Sequence, residues 1–302
     1  MNDGTLAFDA AADTNINFDD VLSGSGILEQ NGQGSSTFTA DSSAFEGTTN
    51  VTAGSLYVNG TLGSAASSMS VAAGGTLGGS GTIGGNTTVA GMLKGQDGAT
   101  LTFGGSLTMQ AGSTIQVAYG APNSTGLFNV QGALSFQGST VNIQDFGGFG
   151  PGAYRLFDYQ GTATGTDPAN LKIGTVPGGQ SSDAYIVYDD VNKQINIMNS
   201  AGVVLNTWKG GDGTWNQTDP SWHDSNDLGI TGLWNNYEFA LFNGPAGTVA
   251  VDTGIQASGM AFQADGYSLT GNNPITLAHD PNTPSTDKPI IRVGIQPMPA
   301  RP

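Results

Sequence analysis

The sequence predicts an all-β fold, a right-handed parallel β-helix built as a three-sided solenoid, and three observations point to it. Short apolar–polar–apolar triplets recur along the chain, each entered through a small turn residue. Matching apolar positions return at intervals of a little over twenty residues. Stretches with helical periodicity are nearly absent.

The triplets run as Gly4-Thr5-Leu6-Ala7-Phe8, Gly54-Ser55-Leu56-Tyr57-Val58, Gly75-Thr76-Leu77 and Gly81-Thr82-Ile83. They continue as Ala99-Thr100-Leu101-Thr102-Phe103, Gly105-Ser106-Leu107-Thr108-Met109 and Gly132-Ala133-Leu134-Ser135-Phe136. Alternation over so short a run marks a strand with one buried face. Gly or Asn at the ends supplies the positive φ of a sharp corner. Glycine accounts for 48 of 302 residues, yet 37% of the chain is hydrophobic. A disordered Gly-rich linker buries nothing and carries far less apolar material, so the composition calls for many short strands joined by turns.

Spacing selects the architecture. Leu56 to Leu77 is 21 positions, Leu77 to Leu101 and Ile83 to Leu107 are 24 each, and Leu107 to Leu134 is 27. Periods in this range indicate stacked supersecondary units. One period holds about three short strands and three turns, which is one rung of a triangular solenoid, with each strand pairing in parallel with its copy in the next rung. The best helical candidate is a single turn at Asp167-Pro168-Ala169-Asn170. Without crossover helices a doubly wound α/β sheet is excluded. A β-sandwich stays open, although antiparallel hairpins do not require a constant period. Energetics ask for many rungs: an inward Leu, Ile, Val or Phe contributes roughly 1.5–3 kcal/mol, while ordering each residue's backbone costs about 1–2 kcal/mol. A single rung cannot stand alone, and both ends of a stack present unpaired strand edges.

Only 11% of the residues are charged, and 24 Asp+Glu against 8 Lys+Arg leave a net charge of −16. Such a chain repels phosphate backbones and anionic lipid, which argues against nucleic-acid and membrane-surface partners. There is no Cys, hence no disulfide and no thiolate chemistry. No run approaches the length of a membrane-spanning helix. Met1-Asn2-Asp3-Gly4 lacks the basic and apolar regions of a signal peptide, so export signals are expected to have been removed or to lie outside a fragment.

Residues 22–58 carry a more specific pattern: Leu22-Ser23-Gly24-Ser25-Gly26-Ile27-Leu28, Gly32-Gln33-Gly34, Phe45-Glu46-Gly47-Thr48-Thr49 and Val51-Thr52-Ala53-Gly54-Ser55-Leu56-Tyr57-Val58-Asn59-Gly60. This resembles the repeat of bacterial autotransporter (type V secretion) passengers, with Ser36-Thr37-Phe38-Thr39 in place of the usual Leu-centred strand and Phe45 in place of Tyr. Val71-Ala72-Ala73-Gly74-Gly75-Thr76-Leu77-Gly78-Gly79-Ser80-Gly81-Thr82-Ile83-Gly84-Gly85 is similar to the passenger-associated transport repeat, although Gly91-Met92-Leu93-Lys94-Gly95 stands where that family carries a Pro-containing turn. Leu127-Phe128-Asn129-Val130 and Gly152-Ala153-Tyr154-Arg155-Leu156-Phe157-Asp158-Tyr159 resemble terminal rungs of such passengers. Trp208, Gly211, Trp215-Asn216, Trp222, Trp234 and Ala240-Leu241-Phe242-Asn243-Gly244 resemble the tryptophan-rich opening of another passenger segment.

The expected organisation is a β-helix over 1–200, a Trp-rich junction over 201–245, further rungs over 246–294 and a Pro-rich tail over 295–302. Ile290-Ile291-Arg292-Val293-Gly294 reads as a stop in mid-rung, and both ends read as truncations. The resemblance implies export through a β-barrel translocator expected in the full-length protein and absent from this chain, and display at or secretion from the surface of a Gram-negative cell, associated with the outer membrane.

Catalytic and ligand-binding motifs are sparse. Gly79-Ser80-Gly81-Thr82-Ile83-Gly84 matches a dinucleotide fingerprint in spelling, but a strand, Gly85-Asn86-Thr87-Thr88-Val89, follows where a helix is required. Gly210-Gly211-Asp212-Gly213 has the look of a calcium-roll repeat without the successive copies that would share an ion, so a structural turn is expected. A β-helix polysaccharide lyase or hydrolase would need carboxylates converging from neighbouring rungs. Asp19-Asp20, Asp158 and Asp189-Asp190 are the nearest material, and adjacent strand residues point to opposite faces. His223 and His279 are expected in Pro/Asp/Asn-rich loops at the surface. No cofactor and no metal are expected. Trp208, Trp215, Trp222 and Trp234 are the candidate site: as exposed aromatics they would stack on a ligand, and as architecture they would cap the solenoid or seal a junction. The expected function is non-catalytic, adhesion or self-association, with a host-cell, matrix or glycan ligand. A pure spacer is the alternative of a different class.

Overall fold

The computed structural model describes residues 1–178, 183–200, 204–224, 231–281 and 289–293. They are all-β, with no α-helix among them, and form two compact units. The first comprises Met1–Gly120, Thr125–Phe149 and Arg155–Ile197; the second comprises Ala121–Ser124, Gly150–Tyr154 and Met198–Pro302.

The first unit is a three-sided parallel β-solenoid. Its first face stacks Thr5–Phe8, Ile27–Gln30, the first part of Thr48–Val58, the first part of Ser68–Gly79, Asn86–Val89, Leu107–Met109, Leu134–Phe136 and Ala163–Thr164. Its second face stacks Asn15–Phe18, Ser35–Phe38, the later parts of the same two long strands, Met92–Gln96, Thr114–Tyr119, Ser139–Asp145 and Leu171–Ile173. The third face runs from Asp41–Ser42 through Thr61–Leu62, Thr82–Ile83, Leu101–Phe103 and Phe128–Val130 to the Phe157–Tyr159 end of the following strand. Thr48–Val58 and Ser68–Gly79 pass from one face to the next without a break, and their mutual register shifts between Val51 and Ala53 where the corner turns.

Alternation puts one residue in two inside, and the parallel register stacks like on like. Ile16, Ser36, Leu56 and Leu77 follow one another on the second face, and the row continues through Leu93, Ile115, Val141 and Ile173. The polar member, Ser36, is satisfied inside the core: its hydroxyl donates to Gln30 Oε1 at 2.6 Å, and Gln30 Nε2 donates to the Gly32 carbonyl at 2.9 Å. Corners are so tight that a Cβ on Gly81 would overlap the carbonyl oxygen of Gly60 one rung away. Gly79, at φ +123°, is likewise closed to L side chains.

The repeat spacing needs a correction. Leu56–Leu77 and Leu107–Leu134 are stacked pairs. The two 24-residue intervals instead join different faces, because Leu77 pairs with Leu93 and Leu101 with Phe128, while Ile83 pairs with Phe103 and Leu107 with Leu134. The true step is 22 from Leu6 to Leu28 and 20 from Thr49 to Met69, drops to 16 from Leu77 to Leu93, and grows to 29 from Leu134 to Ala163. Strand positions stay in register while corners shrink or absorb insertions. Every face has the same apolar lining, so a Leu in the sequence does not say which face it serves. The candidate helical turn at 167–170 is a single turn, in which the N–H groups of Asn170 and Leu171 donate to the Asp167 carbonyl.

The second unit repeats the plan on a smaller scale. Leu205–Trp208, Phe239–Phe242, Gly259–Phe262 and Ile290–Val293 stack in parallel on one face. Gly213–Trp215, Thr248–Val251 and Ser268–Thr270 form a second face, and Ile255–Ala257 with Ile275–Leu277 a third. One departure from the parallel pattern occurs: Trp222–Asp224 runs antiparallel along the free edge of Leu205–Trp208, and Thr231–Gly232 runs antiparallel to it in turn. This excursion lengthens the first rung to 34 positions from Leu205 to Phe239, against 20 from Phe239 to Gly259. Ile290–Val293 is a paired strand, whereas Gly294 and the Pro-rich segment 295–302 lie outside the described residues.

Candidate functional site

The four tryptophans come together inside the second unit. Trp208 ends the first strand of that unit, Trp215 ends Gly213–Trp215, Trp222 opens the antiparallel strand, and Trp234 follows Thr231–Gly232 by two residues. Ring centroids lie 4.7 Å apart for Trp222–Trp234, 4.9 Å for Trp215–Trp222 and for Trp215–Trp234, and 5.2 Å for Trp208–Trp222. Phe242 of the next rung contacts Trp208, Trp215 and Trp222, which ties the cluster to the stack. Trp208 Nε1 donates to the Gly211 carbonyl at 3.1 Å.

All four indoles are at most 1% exposed, so they offer no face to a ligand. Of the two readings of these tryptophans, ligand-stacking aromatics and architecture, such burial fits the architectural one. An indole covers about 150–250 Å², worth about 4–6 kcal/mol at 25 cal/mol per Å². In a short stack with few aliphatic residues, that area goes to the core. The antiparallel strand meanwhile occupies backbone groups that a bare first rung would leave unpaired.

Of the carboxylates considered for acid–base work, Asp20 is exposed and the other four are engaged in local structure. Asp19 accepts from the Thr39 hydroxyl at 2.6 Å. Asp158 pairs with Arg155 at 2.7 Å, and Asp189 accepts the Asn192 backbone and side-chain N–H groups. Asp190 is bound by Lys193 Nζ at 2.7 Å and by the Tyr159 and Tyr188 hydroxyls, and the ammonium first of all holds its carboxyl below the usual range. The same hydroxyl of Tyr159 is pushed above the ordinary phenol range, chiefly by desolvation. Asp212, from the calcium-like motif, accepts the Thr248 backbone N–H at 2.7 Å and so fastens one rung to the next. Burial pushes Asp97 up, although the Gly120 N–H partly offsets this. His223 lies in the strand Trp222–Asp224 rather than in a loop. Among the described residues no three His, Asp or Glu side chains come together to hold a metal ion. The glycines of the fingerprint-like segment flank the short strand Thr82–Ile83 and pack against the backbone of the preceding rung, with no helix after them.

What the first unit does present is polar strand faces. One outward row of the first face reads Ala7, Glu29, Asn50, Ser70, Thr88, Thr108 and Ser135. One of the second face reads Asn15, Ser35, Ser55, Thr76, Met92, Thr114 and Thr140. Neighbours along the stack bond to each other, as Ser35 to Asn15 at 2.9 Å, Thr52 to Asn31 at 2.7 Å and Thr48 with Ser68 at 3.3 Å. From Gly47 to Leu93 there is no charged residue at all. The rows therefore offer hydroxyl and amide groups at the strand repeat of about 4.8 Å, in a nearly charge-free stretch. Outward positions such as Tyr57 and Lys94 did not stand out in the sequence, where the inward members of each triplet carry the periodic signal.

No protein-family model matches the chain. It is 36% identical over 313 aligned positions to the adhesin BmaC autotransporter of Brucella suis biovar 1 (strain 1330), an alignment that covers 86% of this chain and 8% of that protein. The chain thus spans less than a tenth of the length of the curated relative it matches.

Proposed function

The chain is homologous to a segment of an autotransporter adhesin, and from that premise we propose that it is part of a surface-displayed passenger that mediates adhesion or self-association without catalysis. The observation that carries this is the extent of the match, which runs through most of a parallel solenoid rather than through one local motif. Further support comes from the polar rows of the first unit, which form a long surface of hydrogen-bonding groups. In this reading the cell is a Gram-negative bacterium, and export proceeds through a β-barrel translocator.

The test uses the purified full chain, immobilised on a surface, with epithelial cells and extracellular-matrix proteins in solution, alongside sedimentation of the free protein. Saturable retention of cells or matrix, or concentration-dependent association, is expected. Absence of all three in a folded preparation would reject the proposal and leave the spacer role.

A further inference from the structure

Resting on the adhesive role just proposed, we infer that the second face of the first unit binds a neutral glycan chain along a strip centred on Tyr57. Tyr57 is the outward residue of the triplet Leu56-Tyr57-Val58, with Thr37 beside it in one neighbouring rung and Gly78 in the other. Gly78 leaves a one-rung gap in the row of side chains, and the tyrosine ring lies over it: a Cβ at Gly78 would stand 3.1 Å from both Cδ1 and Cε1 of Tyr57. Beyond the gap, Lys94 Nζ sits 6.0 Å from the ring centroid. The result is a half-buried aromatic ring packed over Gly78, with the Lys94 ammonium above it.

The surroundings match the hydroxyl-rich edge of a sugar. On the same row stand Asn17 and Thr37 on one side and Gln116 and Asn142 on the other. The parallel row places Ser55 and Thr76 alongside the ring. A pyranose has an apolar C–H face that packs on an aromatic ring and a rim of hydroxyls that needs both donors and acceptors. Ser, Thr, Asn and Gln supply both, whereas a surface of charges would supply one kind only. Rows repeating at about 4.8 Å let sugars on either side of the ring meet further polar groups along the stack. The net charge of −16 disfavours polyanionic chains and leaves neutral ones as the fitting class. Lys94 is the only Lys or Arg before Arg155, so it acts as a single donor within the strip rather than as part of a basic patch.

The experiment measures binding of the folded full chain to neutral oligosaccharides, cellohexaose and chitohexaose, with heparin as the polyanionic control. Wild type is expected to bind at least one neutral oligosaccharide more tightly than heparin. Tyr57→Phe should retain that binding, and Tyr57→Ala should weaken it about tenfold. Thr76→Arg, which crowds the strip without removing the ring, should also weaken it and covers the case in which Tyr57→Ala fails to fold. The proposal is overturned if no neutral oligosaccharide binds, if heparin binds better, or if Tyr57→Ala and Thr76→Arg bind as wild type does. Cell retention by the same wild-type preparation keeps the two proposals apart: retention without glycan binding rejects the strip and leaves adhesion standing.

Discussion

The two units close a three-sided parallel stack with different materials. The first uses rows of aliphatic residues: Leu56, Leu77, Leu93 and Ile115 lie one on another and are fully buried. Among the described residues the second has only two to four parallel strands per face, and it fills its first rung with four indoles packed on Phe242 of the next. Their first edges differ as well. In the first unit Thr5–Phe8 and Asn15–Phe18 pair on one side only among the described residues, and Leu6, Ile16 and Phe18 stay half-buried there. In the second unit the antiparallel strand Trp222–Asp224 covers the equivalent edge of Leu205–Trp208. A long stack distributes its stability over many weak, equivalent contacts, while a short one concentrates it in a few large side chains.

The contrast can be tested because every tryptophan in the chain belongs to the second unit. Indole fluorescence therefore follows that unit alone, and far-ultraviolet circular dichroism follows both. The largest effect is expected from Trp222→Ala, which removes the ring contacting the other three: a loss of about 3–5 kcal/mol. In urea titrations the fluorescence transition should move to lower denaturant. An unmoved transition would show that the cluster does not hold the unit together.

Leu93→Ala, in the middle of the first unit, should cost about 2–5 kcal/mol by opening a cavity in the row. Here the dichroism should shift while the fluorescence transition keeps its midpoint, and a shared shift would mean that the units unfold as one. Gly81→Ala forces a Cβ against the Gly60 carbonyl and should cost about 1–3 kcal/mol, read in the same dichroism experiment.

The edges supply the next comparison. Asp3, Asp9, Asp13, Asp19 and Asp20 surround the opening rung of the first unit, and no Lys or Arg precedes Lys94. Like charges at an open edge oppose pairing with another chain. Replacing Asp9, Asp13, Asp19 and Asp20 with Asn should raise the weight-average mass in sedimentation as concentration increases. Constant mass would show that the open edge is protected by something other than charge.

The smallest effect concerns Asp190, whose carboxyl is lowered first by Lys193 and next by the Tyr188 hydroxyl. A carboxyl whose folded value lies below its unfolded one stabilises above the ordinary carboxylate range and loses that contribution as pH falls through the folded value. Asp190→Asn should therefore be slightly less stable than wild type at neutral pH and equal to it in acid. The group is exposed to solvent, so the difference is small and shrinks with salt.

Much of the fold was legible one triplet at a time. Gly54-Ser55-Leu56-Tyr57-Val58 and Gly105-Ser106-Leu107-Thr108-Met109 announce strands, and the order of apolar and polar residues states which side chains turn inward. Alternation is a property of the chain's own geometry, so the sequence suffices for it. The rung assignment was not legible, because Leu77 finds Leu93 or Leu101 equally suitable as an apolar neighbour and only the corner lengths decide between them.

The tryptophans show the same division. Their spacing marks them as a group in the sequence, yet whether an indole faces solvent or core depends on a strand that folds back antiparallel and on Phe242 arriving from the following rung. Tyr57 was hidden for the opposite reason: nothing local distinguishes it until Gly78 and Lys94, 21 and 37 positions later, are stacked beside it. Composition, charge and strand polarity follow from short-range covalent order and were settled by the amino acids alone. Partners across rungs follow from loop closure and packing between distant segments, and those only the folded chain decides.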